Sequence, residues 1–405
     1  MNGGMIELLE RACLPSLVLA SLLACRGAVP DATEPDSSTE EATATATASA
    51  STTEDTTTND DEPLFPVDPC RIGPGVSAGV GLGFPRVPDR LRSTGSVRAI
   101  VLFADFPDVT AAMTPQQLMA ILSPKASEFV GAVSYGAMQL VLEPHLEWLR
   151  MSQPSTSYAA AITEFASHRD WLQEAIDLAD PVVDFSGAEL VVLIAAPNAE
   201  AIAYGPTWLG FEGPGGALVA DGAQIENGIT SGADLLFWGG IWLDHELGHS
   251  LGLVDSYSFD APTGFTRPFS LMDLISSEAP EYLAYERWLL GWLDDARVAC
   301  LPESTTLLLS PIEQAQGIAA VMVPLSATRS LVVESRRALG WDTALTEVGA
   351  VAYTVDTNVA SGSGPIRVLN GQQALGPGAS LTVEGILVEV VDADAQGDTV
   401  AVTLP

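Results

Sequence analysis

Residues 245–255 read HELGHSLGLVD, and the reading of the whole chain turns on them. On an α-helix, positions i and i+4 share a face, so His245 and His249 present both imidazoles to one point. Leu243, Leu247 and Leu251 fall on a different face and anchor the helix in a core. Gly252 lets the helix end in a sharp turn, and Asp255 arrives three residues later, where a third donor is needed. Two imidazoles and a carboxylate with a fourth position left open suit zinc. Such an ion lowers the pKa of water from about 15.7 to about 7. Glu246, beside the first histidine but not itself a ligand, is the candidate general base: it takes a proton from water attacking a carbonyl and delivers it to the leaving group. The chain has only 4 histidines in 405 residues. Two of them bracket a glutamate at this spacing, followed by Gly252 and Asp255, which makes the pattern specific. His145 and His168 stand alone and read as structural.

Asp255 is the ligand with competitors. Asp260 and Asp273 follow closely, as alternative donors to the same ion or to calcium. A carboxylate in third place also leaves the site one positive charge poorer than three histidines would, so the water is slightly less acidic. Tyr257, Tyr282 and Tyr285 are oxyanion donors or, in the commoner role of tyrosine, packed aromatics.

Outward from the motif, 234–251 is apolar and helical despite Gly239 and Gly240, and 205–232 reads as glycine-rich loops. Residues 97–103 (VRAIVLF) and 189–196 (ELVVLIAA) read as buried strands. Thr114-Pro115 opens a helix, and 162–179 carries a second helical pattern. Beyond Cys300 the signals are strands at 306–310, 319–324, 330–334, 350–355, 380–391 and 399–404. The expectation is an α/β (α+β) catalytic region over 67–299, followed by a β-rich C-terminal region over 300–405.

The first 66 residues have a different texture. Residues 14–24 (LPSLVLASLLA) are too short an apolar run to span a bilayer but suit an export signal. The run ends in Leu22-Leu23-Ala24-Cys25, which resembles the bacterial lipobox and makes 1–25 a lipoprotein-type signal with Cys25 as the lipidated residue. Glu7 and Glu10 offset Arg11 where a positive segment is usual, and a plain cleaved signal with an incidental Cys25 is the other reading. Residues 26–66 are rich in Thr, Ser and Ala; from 27 onward they hold ten acidic residues and no basic one, the composition of a disordered tether. The formal charge of −35, with Lys125 the only lysine, excludes nucleic acid as a natural partner and leaves membrane contact to the lipid at Cys25. Cys13 lies in the signal segment, leaving Cys70 and Cys300 in the folded part, a pair compatible with one disulfide in an exported protein.

The extended motif with aspartate in third place resembles the immune inhibitor A family of metallopeptidases within the metzincins. Other segments occur in the family's order: Phe103-Ala-Asp-Phe-Pro-Asp108, the region 129–148 with Val133-Ser134-Tyr135-Gly136, and Ser270-Leu271-Met272-Asp273. Ala284-Tyr-Glu-Arg287 with Leu290-Gly-Trp292 follows, then Val333-Glu-Ser-Arg-Arg337 and Gly340-Trp-Asp342. The resemblance spans 85–356. It implies a metzincin-like fold with an active-site helix, zinc on His245, His249 and Asp255, Glu246 as base, and Met272 in a Met-turn beneath the metal. It also implies proteolysis, with proteins or peptides as substrates. The family's pro-region has no recognisable counterpart. Cys70, at the very start of the catalytic region, is either bridged to Cys300 or a thiolate that blocks the zinc.

The leading expectation is therefore an exported or cell-surface zinc endopeptidase. The alternative is a non-catalytic zinc-containing surface-binding or adhesion protein, which the intact Glu246 argues against. A metallohydrolase acting on another substrate, such as a glycan-linked peptide, is a third.

Overall fold

The structure, a computed structural model, describes residues 65–75, 81–212, 216–261, 263–275 and 281–405. The signal segment 1–25 with Cys13 and Cys25, and the tether up to residue 64, lie outside the described residues. The fold is mixed, with more strand than helix.

The N-terminal part runs β1 (Gly95–Asp105), α1 (Pro115–Leu122), α2 (Lys125–Val133), β2 (Met138–Arg150), α3 (Ser155–Ala161), α4 (Phe165–Ala179), β3 (Leu190–Ala195), β4 (Thr207–Leu209), β5 (Leu218–Ala220), β6 (Ala223–Ile225), β7 (Asn227–Ser231), α5 (Asp234–Trp238), α6 (Gly240–Leu251) and α7 (Ala284–Leu289). Five strands form one sheet in the order β2-β1-β3-β7-β4; the first four are parallel and β4 closes the edge antiparallel to β7. Side chains alternate across a strand, so β1 sends Val97, Ala99, Val101 and Phe103 into one core and Ile100, Leu102 and Ala104 into another. Burial on both faces explains why 97–103 is an almost unbroken apolar run. Trp171, Leu172 and Ile176 of α4 cover one face, and Leu118, Phe129 and Leu247 from α1, α2 and α6 cover the other.

The C-terminal part adds β8 (Val298–Cys300), β9 (Thr305–Leu309), β10 (Ala320–Ser326), β11 (Arg329–Arg336), β12 (Gly349–Asp356), β13 (Ile366–Val368), β14 (Ser380–Val383), β15 (Ile386–Asp394) and β16 (Gly397–Thr403). One sheet has the order β13-β12-β11-β10-β8, the other β14-β15-β16-β9. Leu331, Val333 and Ala352 pack toward Val388, Val400 and Val402 of the second sheet. The opposite face, with Met322, Val332, Val351 and Tyr353, joins the same core as α6. The 299/300 division falls within β8, and one hydrophobic core runs across it.

Three local readings change. The stretch 205–232 holds four short strands, whose brevity gave the alternation too few residues to show. The helix over 234–251 is broken at Gly239, whose φ of 66° and ψ of −147° suit glycine alone, so α5 and α6 are separate. The run 380–391 folds back at Glu384 and Gly385, both at positive φ as a two-residue hairpin turn requires. Among the described residues, no helix is long and apolar enough to cross a membrane.

Cys70 and Cys300 are bonded to each other, with Cα atoms 5.8 Å apart, and both are buried. The bridge ties a 3-10 turn (Asp68–Cys70) to β8. In this arrangement the Cys70 sulfur is committed away from the histidine cluster.

Candidate metal centre

Helix α6 is delimited by two glycines. It starts at Gly239 and stops at Gly252, where φ is 101°. There Leu253 N–H donates to the Gly248 carbonyl at 2.8 Å and Gly252 N–H to the His249 carbonyl at 2.9 Å. This Schellman arrangement satisfies carbonyls that the helix end would otherwise leave orphaned. It turns the chain so that Asp255 comes back over the helix. Leu243, Leu247 and Leu251 are fully buried and fix the rotation of α6.

Three donors converge. Nε2 of His245 and Nε2 of His249 each lie 3.3 Å from Oδ1 of Asp255, and the three ligand atoms lie within 4.8 Å of one another. Among the described residues this is the one cluster of three or more His, Cys, Asp or Glu donors with that proximity. The imidazole planes stand at 88° with centroids 5.1 Å apart. Backbone carbonyls fix both tautomers: His245 Nδ1 is 2.7 Å from Leu271 O, and His249 Nδ1 is 3.1 Å from Leu253 O. A carbonyl only accepts, so each Nδ1 carries a proton and each Nε2 faces the shared site, where a cation would take its lone pair.

The residues fit a divalent cation on the structure's own terms. Asp255 Oδ1 is buried with no hydrogen-bond partner, although it faces two nitrogens. Burial opposes charge on His249, yet the neighbouring Asp255 carboxylate, with Glu246 and the Leu253 carbonyl, raises its pKa to about 9. Burial likewise opposes ionisation of Asp255, and the two histidines outweigh it and hold the carboxyl well below the usual range. The pocket calls for positive charge, which either a proton or a metal ion supplies.

Met272 supports the site from below. It is fully buried, and a Cβ at Gly248, between the two histidines, would collide with its Sδ. The glycine in HELGH is thus required by the close approach of Met272. Met272 O accepts from Ser256 N–H at 2.7 Å, which ties the segment carrying Asp255 to the same turn.

Glu246 is half-buried, and its Oε2 lies 2.9 Å from both the backbone N and Oγ1 of Thr207 on β4. The same Oγ1 is 2.7 Å from the Glu246 carbonyl. The chain into β4 is itself pinned: buried Asp234 accepts from the N–H groups of Gly205, Gly232 and Leu235. Thr230 donates its N–H to the carbonyl of Pro206 at 3.2 Å. Burial pushes Asp234 up to about 7, against those three donors.

The competing donors are elsewhere. Asp273 Oδ2 accepts from the N–H groups of Phe265, Thr266 and Arg267 at 2.6–3.0 Å, and Oδ1 accepts from Leu274 N–H. It is a buried anchor for that loop, and both it and exposed Asp260 stand outside the ligand cluster. Tyr282 donates to the Asp244 carbonyl at 2.6 Å and Tyr285 to the Leu82 carbonyl, both from within the core. Tyr257 differs. Its ring centroid is 6.4 Å from that of His245, and burial and then the Asp255 charge raise its pKa. His168 is buried against Thr230 Oγ1 at 3.1 Å, and burial lowers its pKa to about 4. His145 lies on β2, outside the cluster.

Two contributors gave no sequence signal. Thr207 sits in a stretch read as loop, and Ser361, described below, is 106 residues from Asp255. No protein-family model matches the chain, and no curated protein matches it. Fold and site alone thus define a class: an α/β protein with a two-histidine, one-aspartate donor set on the end of a helix.

Proposed function

We propose that the protein is a zinc-dependent endopeptidase of metzincin type, with His245, His249 and Asp255 as the ligands that would hold the ion. The observation that carries this reading is the convergence of both Nε2 atoms on Asp255 Oδ1, beside a carboxylate that is not a ligand. A bound zinc ion supplies Lewis acidity, which makes water acidic near neutral pH and draws electron density from a carbonyl oxygen.

The remaining chemistry belongs to the chain. Thr207 holds Oε2 of Glu246, so Oε1 is the oxygen left to accept a proton from attacking water and return it to the leaving amine. The Leu271 and Leu253 carbonyls keep the imidazoles oriented, with Nδ1 bonded to the backbone and Nε2 turned toward the ion's place. The Met272 side chain packs beneath α6 and stops the helix from sinking.

The sequence of the first 25 residues supports export, and Leu22-Leu23-Ala24-Cys25 supports a lipid anchor at a bacterial cell surface. Extracellular proteins or peptides are the substrates this placement favours. The test is casein hydrolysis by the purified chain. A chelator and, separately, Glu246→Ala with the fold intact should each abolish it. If Glu246→Ala cleaves at the wild-type rate, the mechanism fails; if the wild type binds zinc without cleaving any member of a peptide library, a zinc-containing surface-binding protein is the better reading.

A further inference from the structure

The aspartate of the donor set is held from the far end of the chain. The loop 357–365, between β12 and β13 of the C-terminal sheet, reaches over the turn that carries Asp255. Ser361 Oγ donates to Asp255 Oδ2 at 3.3 Å and accepts the Asp255 backbone N–H at 3.1 Å. Gly362 N–H donates to the Asp255 carbonyl at 3.2 Å, and Phe259 N–H donates to the Gly362 carbonyl at 3.2 Å. Gly362 has φ of 74°, and a Cβ there would run into the Phe259 ring. The approach of the two segments is therefore close along their length.

The same sheet grips the other end of the Asp255 loop. Val368 N–H donates to the Phe265 carbonyl at 2.8 Å, Gln372 Nε2 to the Gly264 carbonyl at 2.9 Å, and the Arg367 guanidinium lies 4.0 Å from the centre of the Phe265 ring.

A monodentate carboxylate can rotate about its Cβ–Cγ bond, and either oxygen can then face a cation. Here the two oxygens have different environments. Oδ1 faces both imidazoles, while Oδ2 faces the Ser361 hydroxyl; the buried Tyr257 side chain is a further hydrogen-bond partner of the carboxylate. We propose that Ser361 is a positioning residue for the metal centre: its hydroxyl sets the rotation of the Asp255 carboxylate, so the C-terminal β-region is a working part of the site. This rests on the reading of His245, His249 and Asp255 as metal ligands. Outer partners of metal ligands act this way in general, and their loss weakens metal binding by about 10- to 100-fold.

The experiment uses the full chain, stripped of metal and reloaded. Zinc affinity is measured by competition with a chromophoric chelator, and ligand geometry by the visible d–d spectrum of the cobalt(II) form. Ser361→Ala should weaken zinc binding by about tenfold and alter the cobalt band. Ser361→Thr, which keeps the hydroxyl, should restore both, whereas Ser361→Val, of nearly the same bulk without it, should not. The Thr and Val pair carries the comparison if the alanine variant folds poorly. In an Asp255→Ala background, where no carboxylate remains to be oriented, Ser361→Ala should cost nothing further; a merely structural role would weaken both backgrounds alike. Equal zinc affinity and spectra in the Thr and Val variants would overturn the proposal. A wild-type chain that takes up no stoichiometric zinc would instead remove the metal-centre reading, and this proposal with it.

Discussion

Thr207 and Glu246 are joined twice: the threonine's backbone N and its Oγ1 each lie 2.9 Å from the same carboxylate oxygen, Oε2. One oxygen of the carboxylate proposed as the base is thereby fixed, and the other is free to take a proton in that role. Thr207→Val retains the N–H and the shape but removes the hydroxyl. The hydroxyl's single proton is shared between Oε2 and the nearer Glu246 carbonyl at 2.7 Å, so its loss, up to about 1.5 kcal/mol, should lower kcat by up to about tenfold. KM and bound zinc should stay at wild-type values. Steady-state kinetics with metal analysis decides it; an unchanged kcat would mean that the N–H alone aligns Glu246.

Gly248 and Met272 form a matched pair beneath the candidate metal site. Replacing a helical glycine by alanine normally stabilises by about 0.5–1 kcal/mol. At 248 the new methyl would meet Met272 Sδ, and Met272 is fully buried and cannot swing into solvent. Gly248→Ala should therefore destabilise, by about 1–3 kcal/mol as an overpacked core does. Met272→Ala should cost about 2–5 kcal/mol through the cavity it leaves. In the double variant the alanine methyl has room, so its penalty should vanish. Urea midpoints of the three proteins test this, and additive losses would count against the pair.

What the sequence disclosed divides by the range of the contacts. The spacing of His245, Glu246, His249 and Asp255 is local, fixed by helix geometry and one glycine turn, and so it was readable. The apolar runs at 97–103 and 189–196 were readable because strands covered on both faces need no alternation. Thr207 was not, because its role comes from β4 lying at a sheet edge beside α6, a relation set by strands far apart in sequence. Ser361 was hidden for the same reason, in a Ser/Gly-rich loop that looks like any surface turn. β2 was read only as part of a motif, since its outer half is largely exposed and carries little apolar signal. The break at Gly239 was masked by apolar residues on both sides that continue the helical pattern.

If His245, His249 and Asp255 hold zinc as proposed, their electrostatics predict how its binding depends on pH. The metal-free protein holds His249 at about 9, above the ordinary value of 6.5, because Asp255 and Glu246 outweigh burial. At pH 7 the empty site is thus protonated, and the ion needs the neutral imidazole. Zinc binding at pH 7 should release about one proton, and apparent affinity should rise with pH by roughly tenfold per unit, levelling off above about pH 9. Calorimetry in buffers of different ionisation enthalpy counts the proton directly. Asp255→Asn removes the charge that raises His249, so its pH dependence should flatten and shift to lower pH. A wild-type affinity constant from pH 6 to 9 would sink this account.

Arg336 on β11 extends the dependence on the C-terminal sheet to the turn that carries Met272. It is completely buried, bonds to Asp342, lies 3.0 Å from Glu334, and donates to the Phe269 carbonyl at 2.7 Å, just before Ser270. Arg336→Met fills the space but leaves buried carboxylates without their counter-charge, which costs about 3–5 kcal/mol. The deficit should depend on pH in a definite direction. Burial already raises Asp342, and Arg336 is what holds it down, so without Arg336 its folded pKa rises further. A carboxyl whose folded pKa exceeds its unfolded value loses stability as pH climbs through that range, so the variant should fare worst at alkaline pH. Urea unfolding of both proteins at pH 5 and pH 8 should show a deficit that is smaller at pH 5. A deficit equal at both would mean that lost packing and the Phe269 hydrogen bond, rather than stranded charge, account for the role of Arg336.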